Sequence, residues 1–447
     1  MSIKPHKIAA TALLLMSSSA AIAIPFGSFD TRSMAMGGAG AAPLFNPALL
    51  SVTNEKEHFA LIIPVGVRVY DPDSLLRDTL DKAGTYSDTL QNSVNTLNQL
   101  NTIATTTKTP ASIAAIAAPA NNASSDLKKV STLLANMSDK LVTVDAGLAA
   151  VVAIPSKKLG AAFYANATVT AGSIFQYRDA GTLQPISDQL SCLALAAVRP
   201  TTTQAEIDAA VAALNVCGTN VNYTNTTLQS GIHVKGVALG EAGFALSHEF
   251  QIGDHSVAFG ITPKIVKAKL FDAPLKVKDS SNTAFNGNDY LAEYTFANFD
   301  LGAAKNYDNG WRTGFVVKNV IPQTLDFKKA VTPGTTPMAT GEVLTLKPQA
   351  RIGVSHSNSW STVALDVDLT RNDPAGLERD TQYIALGGEL NAWDWVQLRA
   401  GYRVDMVNND RSVASIGLGI SAGLVADFAV AGNANEIGAS VELGLRF

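Results

Sequence analysis

A chain of 447 residues can hold two or three ordinary globular domains or one large barrel. Hydrophobic residues make up 47% and charged residues only 16%, with 34 glycines, a balance that suits lipid-facing strands better than a cytosolic enzyme. The net charge of −4 argues against a nucleic-acid binder, which needs a basic face to neutralise phosphates.

At the amino terminus, Lys4, His6 and Lys7 precede an apolar run from Ile8 to Met16, and Ala21-Ile22-Ala23 forms a small-x-small site. Residues 1–23 therefore read as a secretory signal peptide, because the apolar run is far short of the ~20 residues a spanning helix needs. Losing Lys4 and Lys7 shifts the net charge from −4 to about −6, which leaves the class unchanged. No later stretch is long and apolar enough to be a membrane helix, so a membrane protein with this sequence must be a barrel.

Residues 24–50 are dominated by small side chains, with Gly37, Gly38 and Gly40 grouped and Pro47 forcing Asn46 out of the helical region. The segment should be compact and irregular, either a plug or a flexible linker to the first strand. The run MAMGGAGAAPLFNPALL, residues 34–50, resembles the amino-terminal signature of the conjugal transfer TraF-type outer-membrane family. That family is in turn similar to the FadL class of hydrophobic-compound transporters, where a Gly/Ala-rich run ending in Asn-Pro-Ala belongs to a hatch plugging the lumen. The resemblance implies a hatch over residues 24–56, with Gly37, Gly38, Gly40, Asn46, Pro47 and Ala48 as its signature. The TraF name also attaches to a thioredoxin-like periplasmic protein, and nothing in this sequence supports that version.

Residues 57–447 read as barrel. Fourteen segments have the length of strands, spanning needing ~9–11 tilted residues: 57–69, 143–155, 158–171, 229–250, 255–271, 291–306, 311–321, 343–355, 360–371, 381–391, 396–406, 412–420, 423–432 and 437–447. Alternation is clearest late in the chain. Leu344, Leu346, Ala350, Ile352 and Val354 oppose Thr345, Lys347, Gln349, Arg351 and Ser355; Val363, Leu365, Val367 and Leu369 oppose Thr362, Asp366 and Asp368; Val396, Leu398, Ala400, Tyr402 and Val404 oppose Gln397, Arg399, Arg403 and Asp405. In the last strand Ala439, Val441, Leu443, Leu445 and Phe447 oppose Ser440, Glu442, Gly444 and Arg446. This resembles the closing strand of a bacterial outer-membrane barrel, with one oily and one wet face.

A soluble β-sandwich would alternate too, but its turns would not sort by length. Here connections after even strands are short, at 155–158, 251–254, 307–310, 356–359, 392–395 and 421–422, whereas 70–142, 172–228, 272–290, 322–342 and 372–380 are long. Short turns on one side and long loops on the other are the outer-membrane pattern. Trp311, Trp360, Trp393 and Trp395 all fall at short-turn ends, which predicts a periplasmic aromatic girdle.

Two insertions interrupt the pattern. In residues 70–142, Leu76, Leu80, Ala83, Leu90, Val94 and Leu97, then Ile113, Ile116, Ala120, Ala123, Leu127, Val130, Leu134 and Met137, recur at spacings of three and four. They predict an antiparallel helical hairpin turning at Thr105 to Pro110. The second insertion, 172–228, is Thr/Asn-rich with a short helical stretch from Ala205 to Leu214. It holds the only cysteines, Cys192 and Cys217, which in an exported chain are expected to form a disulfide, with free thiols the alternative.

Enzymatic constellations are thin. His58, His233, His248, His255 and His356 are scattered, with no HExxH, no GxSxG and no phosphate-binding glycine loop. No catalytic residue, metal or cofactor is assigned, although His233 and His248 lie on strands and barrel enzymes that use His exist. The inward charges, Lys347, Arg351, Arg399, Arg403 and Arg446 against Asp366, Asp368, Glu389, Asp405 and Glu442, have mixed sign. They read as ion pairs filling a plugged interior, since an ion-selective filter would carry rings of one sign.

The expectation is an all-β, fourteen-stranded antiparallel transmembrane barrel in the bacterial outer membrane, with an amino-terminal hatch and a helical-hairpin loop. Outer-membrane lipid and the barrel-assembly machinery are its implied partners. Two functions follow from the resemblance. One is passage of a small hydrophobic ligand through a hatch-gated lumen. The other is an assembly or conjugation role in which the outer loops meet a protein partner.

Overall fold

The computed structural model describes residues 29–40, 46–52, 58–75, 109–199, 201–218, 229–276, 287–330, 336–372, 380–392 and 395–446, with a few isolated positions between them. The residues read as a signal peptide lie outside this set. In chain order the strands are β1 (Ala60–Tyr70), β2 (Leu141–Ile154), β3 (Gly160–Gln176), β4 (Gly231–Ile252), β5 (His255–Lys276), β6 (Leu291–Asn306), β7 (Trp311–Lys318) and β8 (Gln323–Lys329). They continue as β9 (Met338–Leu346), β10 (Gln349–Ser357), β11 (Ser361–Asp368), β12 (Tyr383–Ala392), β13 (Val396–Asp405), β14 (Val413–Ala422), β15 (Leu424–Gly432) and β16 (Glu436–Arg446).

Fourteen of them form one closed antiparallel barrel. β1 meets β16 from Ala60 opposite Arg446 to Tyr70 opposite Glu436, so the sheet has no edge to leave unpaired in lipid. Neighbours follow chain order except where β7 pairs with β10. β8 and β9 make a separate two-stranded sheet.

That hairpin corrects one expected strand. The segment 343–355 is not continuous: Leu344 and Leu346 belong to β9, whereas Gln349 to Ser355 belong to β10. Pro348 lies between them; it has no N–H for a ladder and holds Lys347 away from helical geometry, so the chain turns there. Lys347 is therefore not a barrel-wall charge, and the expected loop 322–342 carries β8 and the start of β9.

The two faces separate as alternation requires. Leu443 is 58% exposed and its neighbour Glu442 0%; Val441, Ile437 and Ala439 face out while Glu436, Gly438 and Ser440 face in. Val363, Leu365, Leu398 and Tyr402 likewise point outward, with Asp366, Asp368, Arg399 and Arg403 buried. An outward belt this apolar is stable only against hydrocarbon. No helix among the described residues is long and apolar enough to cross a membrane.

The rims differ as expected. One carries tight turns; Gly423 alone joins β14 to β15 with a left-handed φ of +85° that glycine takes without steric cost. Exposed Trp311, Trp360 and Trp395 stand on this rim, and Trp393 and Phe447 lie outside the described residues. The other rim carries the long connections. β4 and β5 have 22 residues each, about twice what spanning needs, so their far halves rise above it.

Over that rim sits a helical cap that differs from the expected hairpin. Besides α1 (Thr31–Ala35), the helices are α2 (Pro110–Met137), α3 (Ala180–Ala197) and α4 (Gln204–Gly218). Thr109 and Ser112 form a capping box, with Pro110 at the first helical position, so α2 starts where the sequence provides a stop for its free N–H groups. Its stripe of Ile113, Ile116, Ala120, Ala123 and Leu127 packs against Leu183, Ile186, Leu190 and Leu193 of α3 and Leu214 of α4. The partner of α2 thus comes from the second insertion; the other predicted arm, Leu76 to Leu97, and the predicted turn before Thr109 fall largely outside the described residues. Helix α3 was not legible as a helix in a Thr/Asn-rich stretch. Cys192 of α3 and Cys217 of α4 are disulfide-bonded.

Candidate functional site

The lumen is occupied by the chain's own amino-terminal segment. Asp30 caps α1 by accepting from the Ser33 N–H at 2.7 Å, and the chain then runs along the inner wall. Phe29 lies on β1 and β2, Ala35 and Met36 on β12 to β14, Asn46 on β6 and β7, Ala48 on β5 and Leu50 on β3. Residues 29–40 and 46–52 therefore line the inner wall on both sides of the lumen.

What makes room is a set of wall glycines. A methyl group on Gly387 or Gly401 would collide with Met36, one on Gly417 with Ala35, one on Gly260 with Pro47 and Ala48, and one on Gly302 with Asn46. These inward positions lie four or five residues above the short-turn ends of their strands. Gly37 takes a φ of +72° and approaches the Tyr402 backbone so closely that a side chain would come within 2.7 Å of its nitrogen. The glycines cluster because backbone meets backbone at this level.

Polar contacts fix the segment. The Asn46 amide nitrogen donates to the carbonyls of Ala303 and Phe315 at 3.3 and 3.2 Å, and its oxygen accepts from the Ala48 N–H at 3.0 Å. One side chain thus caps the short 3-10 helix Pro47–Ser51 and ties it to β6 and β7. Ser247 bonds to Ser51 at 2.8 Å, and Ser415 donates to the Ala35 carbonyl at 2.9 Å. Arg32 forms a fork with Glu389, at 2.7 and 3.1 Å. Arg351 donates to the Gly38 carbonyl at 3.3 Å.

The inward charges are paired, not ringed by sign. Glu389 also takes Arg399 at 2.7 Å, and Arg399 reaches Asp427 at 2.8 Å. Arg351 pairs with Asp368 at 2.6 Å, Arg403 with Glu436 at 2.7 Å and Arg446 with Glu442 at 3.7 Å. Asp405 accepts from the Gln382 and Val407 N–H groups. Sequence reading missed several partners: Arg32, Arg411, Glu436, and the buried triad of Lys264 between Glu241 and Asp300, each at 3.0 Å. For the triad the available signal was alternation, since buried Glu241, Lys264 and Asp300 each precede an outward residue, Ala242, Ile265 and Leu301.

One sector of the upper lumen is apolar instead. Val237, Leu239, Val266, Leu270 and Ala292 are covered by Leu325, Phe327 and Leu344 of the β8–β9 hairpin. Glu342 of that hairpin pairs with Lys235, and the Tyr294 hydroxyl donates to the Asp326 carbonyl at 2.8 Å. Among the described residues the histidines form no shared site: His233 pairs with Asp272, His248 meets the Lys158 carbonyl and His356 stacks edgewise on Trp311. No metal-binding group of three such side chains occurs among the described residues.

A family model described as "F plasmid transfer operon, TraF, protein" matches residues 43–368. Among solved structures, the chain is similar to the Ralstonia pickettii toluene transporter TbuX at 13% identity and a TM-score of 0.46, covering 93% of this chain and 98% of that one. The P. putida toluene transporter TodX is similar at 12% identity and a TM-score of 0.45, with the same coverage. A search of the curated proteins gave no match.

Proposed function

The chain belongs to the TraF family of the F plasmid transfer operon, and we propose that it is an outer-membrane barrel whose segment 24–56 is a hatch gating passage of a small hydrophobic compound. The observation that carries this reading is the contact of residues 29–40 and 46–52 with the inner wall, held by a few polar ties and by close approach to wall glycines. An apolar sector lies covered beneath the β8–β9 hairpin, and displacing that hairpin would bare to an oily ligand a surface that the ion-paired remainder lacks. The resemblance of residues 34–50 to FadL-type hatches supports the same reading. Trp311, Trp360 and Trp395, with the oily face of Val441 and Leu443, suit a bilayer boundary.

Influx of a fluorescent hydrophobic probe into liposomes holding the purified barrel tests it. Deleting residues 24–50 should raise influx, and cross-linking the segment to the wall through Ala35→Cys with Ser415→Cys should lower it. Equal influx in the intact, deleted and cross-linked proteins would defeat the gate.

A second reading, display of the outer loops to a protein partner in conjugation or assembly, is favoured by the disulfide-tied cap of α2, α3 and α4. Removing residues 72–140 from a barrel that still folds should then abolish partner capture, and undiminished capture would sink it.

A further inference from the structure

Above the buried triad of Glu241, Lys264 and Asp300, the inner wall changes character. Leu239 and Val266 lie two residues further up from Glu241 and Lys264, and with Val237, Leu270 and Tyr294 they make an apolar sector. At its upper end stands Lys235, with Asp272 at 4.0 Å and His233 paired to Asp272. Such a surface in an otherwise ion-paired lumen needs a cover, and the β8–β9 hairpin supplies it.

What the hairpin places there is specific. From β8 comes Phe327, 2% exposed, with the Lys235 Nζ over its ring 4.5 Å from the centre, a cation on an aromatic face. From β9 comes Glu342, whose carboxylate pairs with the same ammonium. That hydrogen bond from Lys235 holds the Glu342 carboxyl below the usual glutamate range. One wall ammonium thus receives an aromatic ring and a carboxylate from the same covering element.

The ladder of the hairpin is interrupted at this point. It runs from Gln323 opposite Leu346 to Asp326 opposite Val343, then shifts and resumes at Lys328 opposite Ala339. Phe327 and Glu342 fall in the gap, beside Gly341 at a left-handed φ of +85°. Ring and carboxylate are therefore held where the regular pairing of the two strands fails.

A ligand carrying both groups could replace the hairpin without loss of charge balance or apolar burial. Its ring would take the place of Phe327 and its carboxylate that of Glu342, while Asp272 and His233 stay on the wall. A hydrocarbon would replace only the ring, and a ringless acid only the carboxylate. We propose that this sector is a binding site for aromatic carboxylates, in which Phe327 and Glu342 stand in for the ligand until it displaces them. The proposal rests on reading the barrel as a passage for a small hydrophobic compound, and it names the class of that compound.

Titration calorimetry of the full chain in detergent micelles tests this, with 3-phenylpropionate as ligand, 3-phenylpropionamide as neutral control and hexanoate as ringless control. A site filled by its own hairpin binds more weakly in proportion to the fraction of molecules in which it is open. Vacating both places, by Phe327→Ala with Glu342→Gln, should therefore tighten 3-phenylpropionate binding by about ten-fold or more, with the amide and hexanoate each about ten-fold weaker than the aromatic acid. Adding Lys235→Met should erase the preference for acid over amide. Removing residues 323–346 should also open the site and covers the case in which the double variant does not fold; β7 pairs directly with β10, so the barrel should still close. No gain in either variant would overturn the proposal, and so would equal affinity for the aromatic acid and either control. These variants keep the hatch. Binding as expected, with influx indifferent to the hatch, would defeat the gate alone; gated influx without this binding would defeat the site alone.

Discussion

At Gly401, the wall of the barrel and the segment inside it approach to backbone contact, because a Cβ there would overlap the Met36 carbonyl carbon and the Gly37 nitrogen. Neither partner is the flexible end of a side chain, so the clash cannot be relieved by a rotamer change. Gly401→Ala should cost about 1–3 kcal/mol of seating, the range for overpacking a close-packed contact. The outward neighbours of Gly401 are untouched, so the barrel should still form. Limited proteolysis checks this: the variant should be cut faster between Phe29 and Val52 than the unaltered protein, with the barrel fragment intact. The sequence made Gly37, Gly38 and Gly40 conspicuous, but it gave no sign that Gly387, Gly401 and Gly417 are their counterparts. Those glycines are scattered along the chain and come to one level only through the register of successive strands.

Among the elements, α4 shows how locally encoded parts behave. Thr203 and Glu206 cap its start reciprocally: the Thr203 N–H donates to Glu206 at 2.9 Å, and the Glu206 N–H donates to the Thr203 hydroxyl at 3.3 Å. The Thr202 hydroxyl also donates to Glu206, and with the Thr203 and Thr202 N–H groups it holds that carboxyl below the usual glutamate range. A depressed carboxyl stabilises the folded form fully above the ordinary glutamate range and loses that contribution as the pH falls through its own lower value. Protection factors of the amides in the first turn of α4, taken relative to the intrinsic exchange rate at each pH, should therefore fall on acidification through that value, and Glu206→Gln should remove that fall. Helix α2 was equally local in its stripe, which was readable, whereas its capping residue Thr109 falls within the turn expected before it. The partner of α2 was not readable, because an apolar stripe states that something covers it and leaves open which element does.

For the whole molecule, stability depends on an outward surface that tolerates lipid and little else. Val441 lies mid-strand on the outer face, between Val65 on β1 and Phe428 on β15. Val441→Lys should destabilise the folded barrel by about 2–4 kcal/mol, as for a cation near the bilayer midplane. Urea titration of the barrel folded into vesicles checks this; Ser440→Ala, one residue away on the inner face, should leave the midpoint nearly unchanged. Equal effects would mean that the outer face does not meet hydrocarbon.

Side-chain alternation and loop lengths are written locally along the chain, and they determined the strand count, the two faces of each strand, the unequal rims and the lipid-facing character of β16. The Asn-Pro-Ala turn and the grouped glycines likewise marked residues 34–50 as an unusual segment. Only the tertiary structure decided that the segment lies against the inner wall, that Arg32 pairs with Glu389, that α2 packs on α3, and that Pro348 separates a barrel strand from a lumen-covering hairpin. Each of these joins residues far apart in sequence, through contacts fixed by register and closure, and a one-dimensional pattern records the faces but not which faces meet.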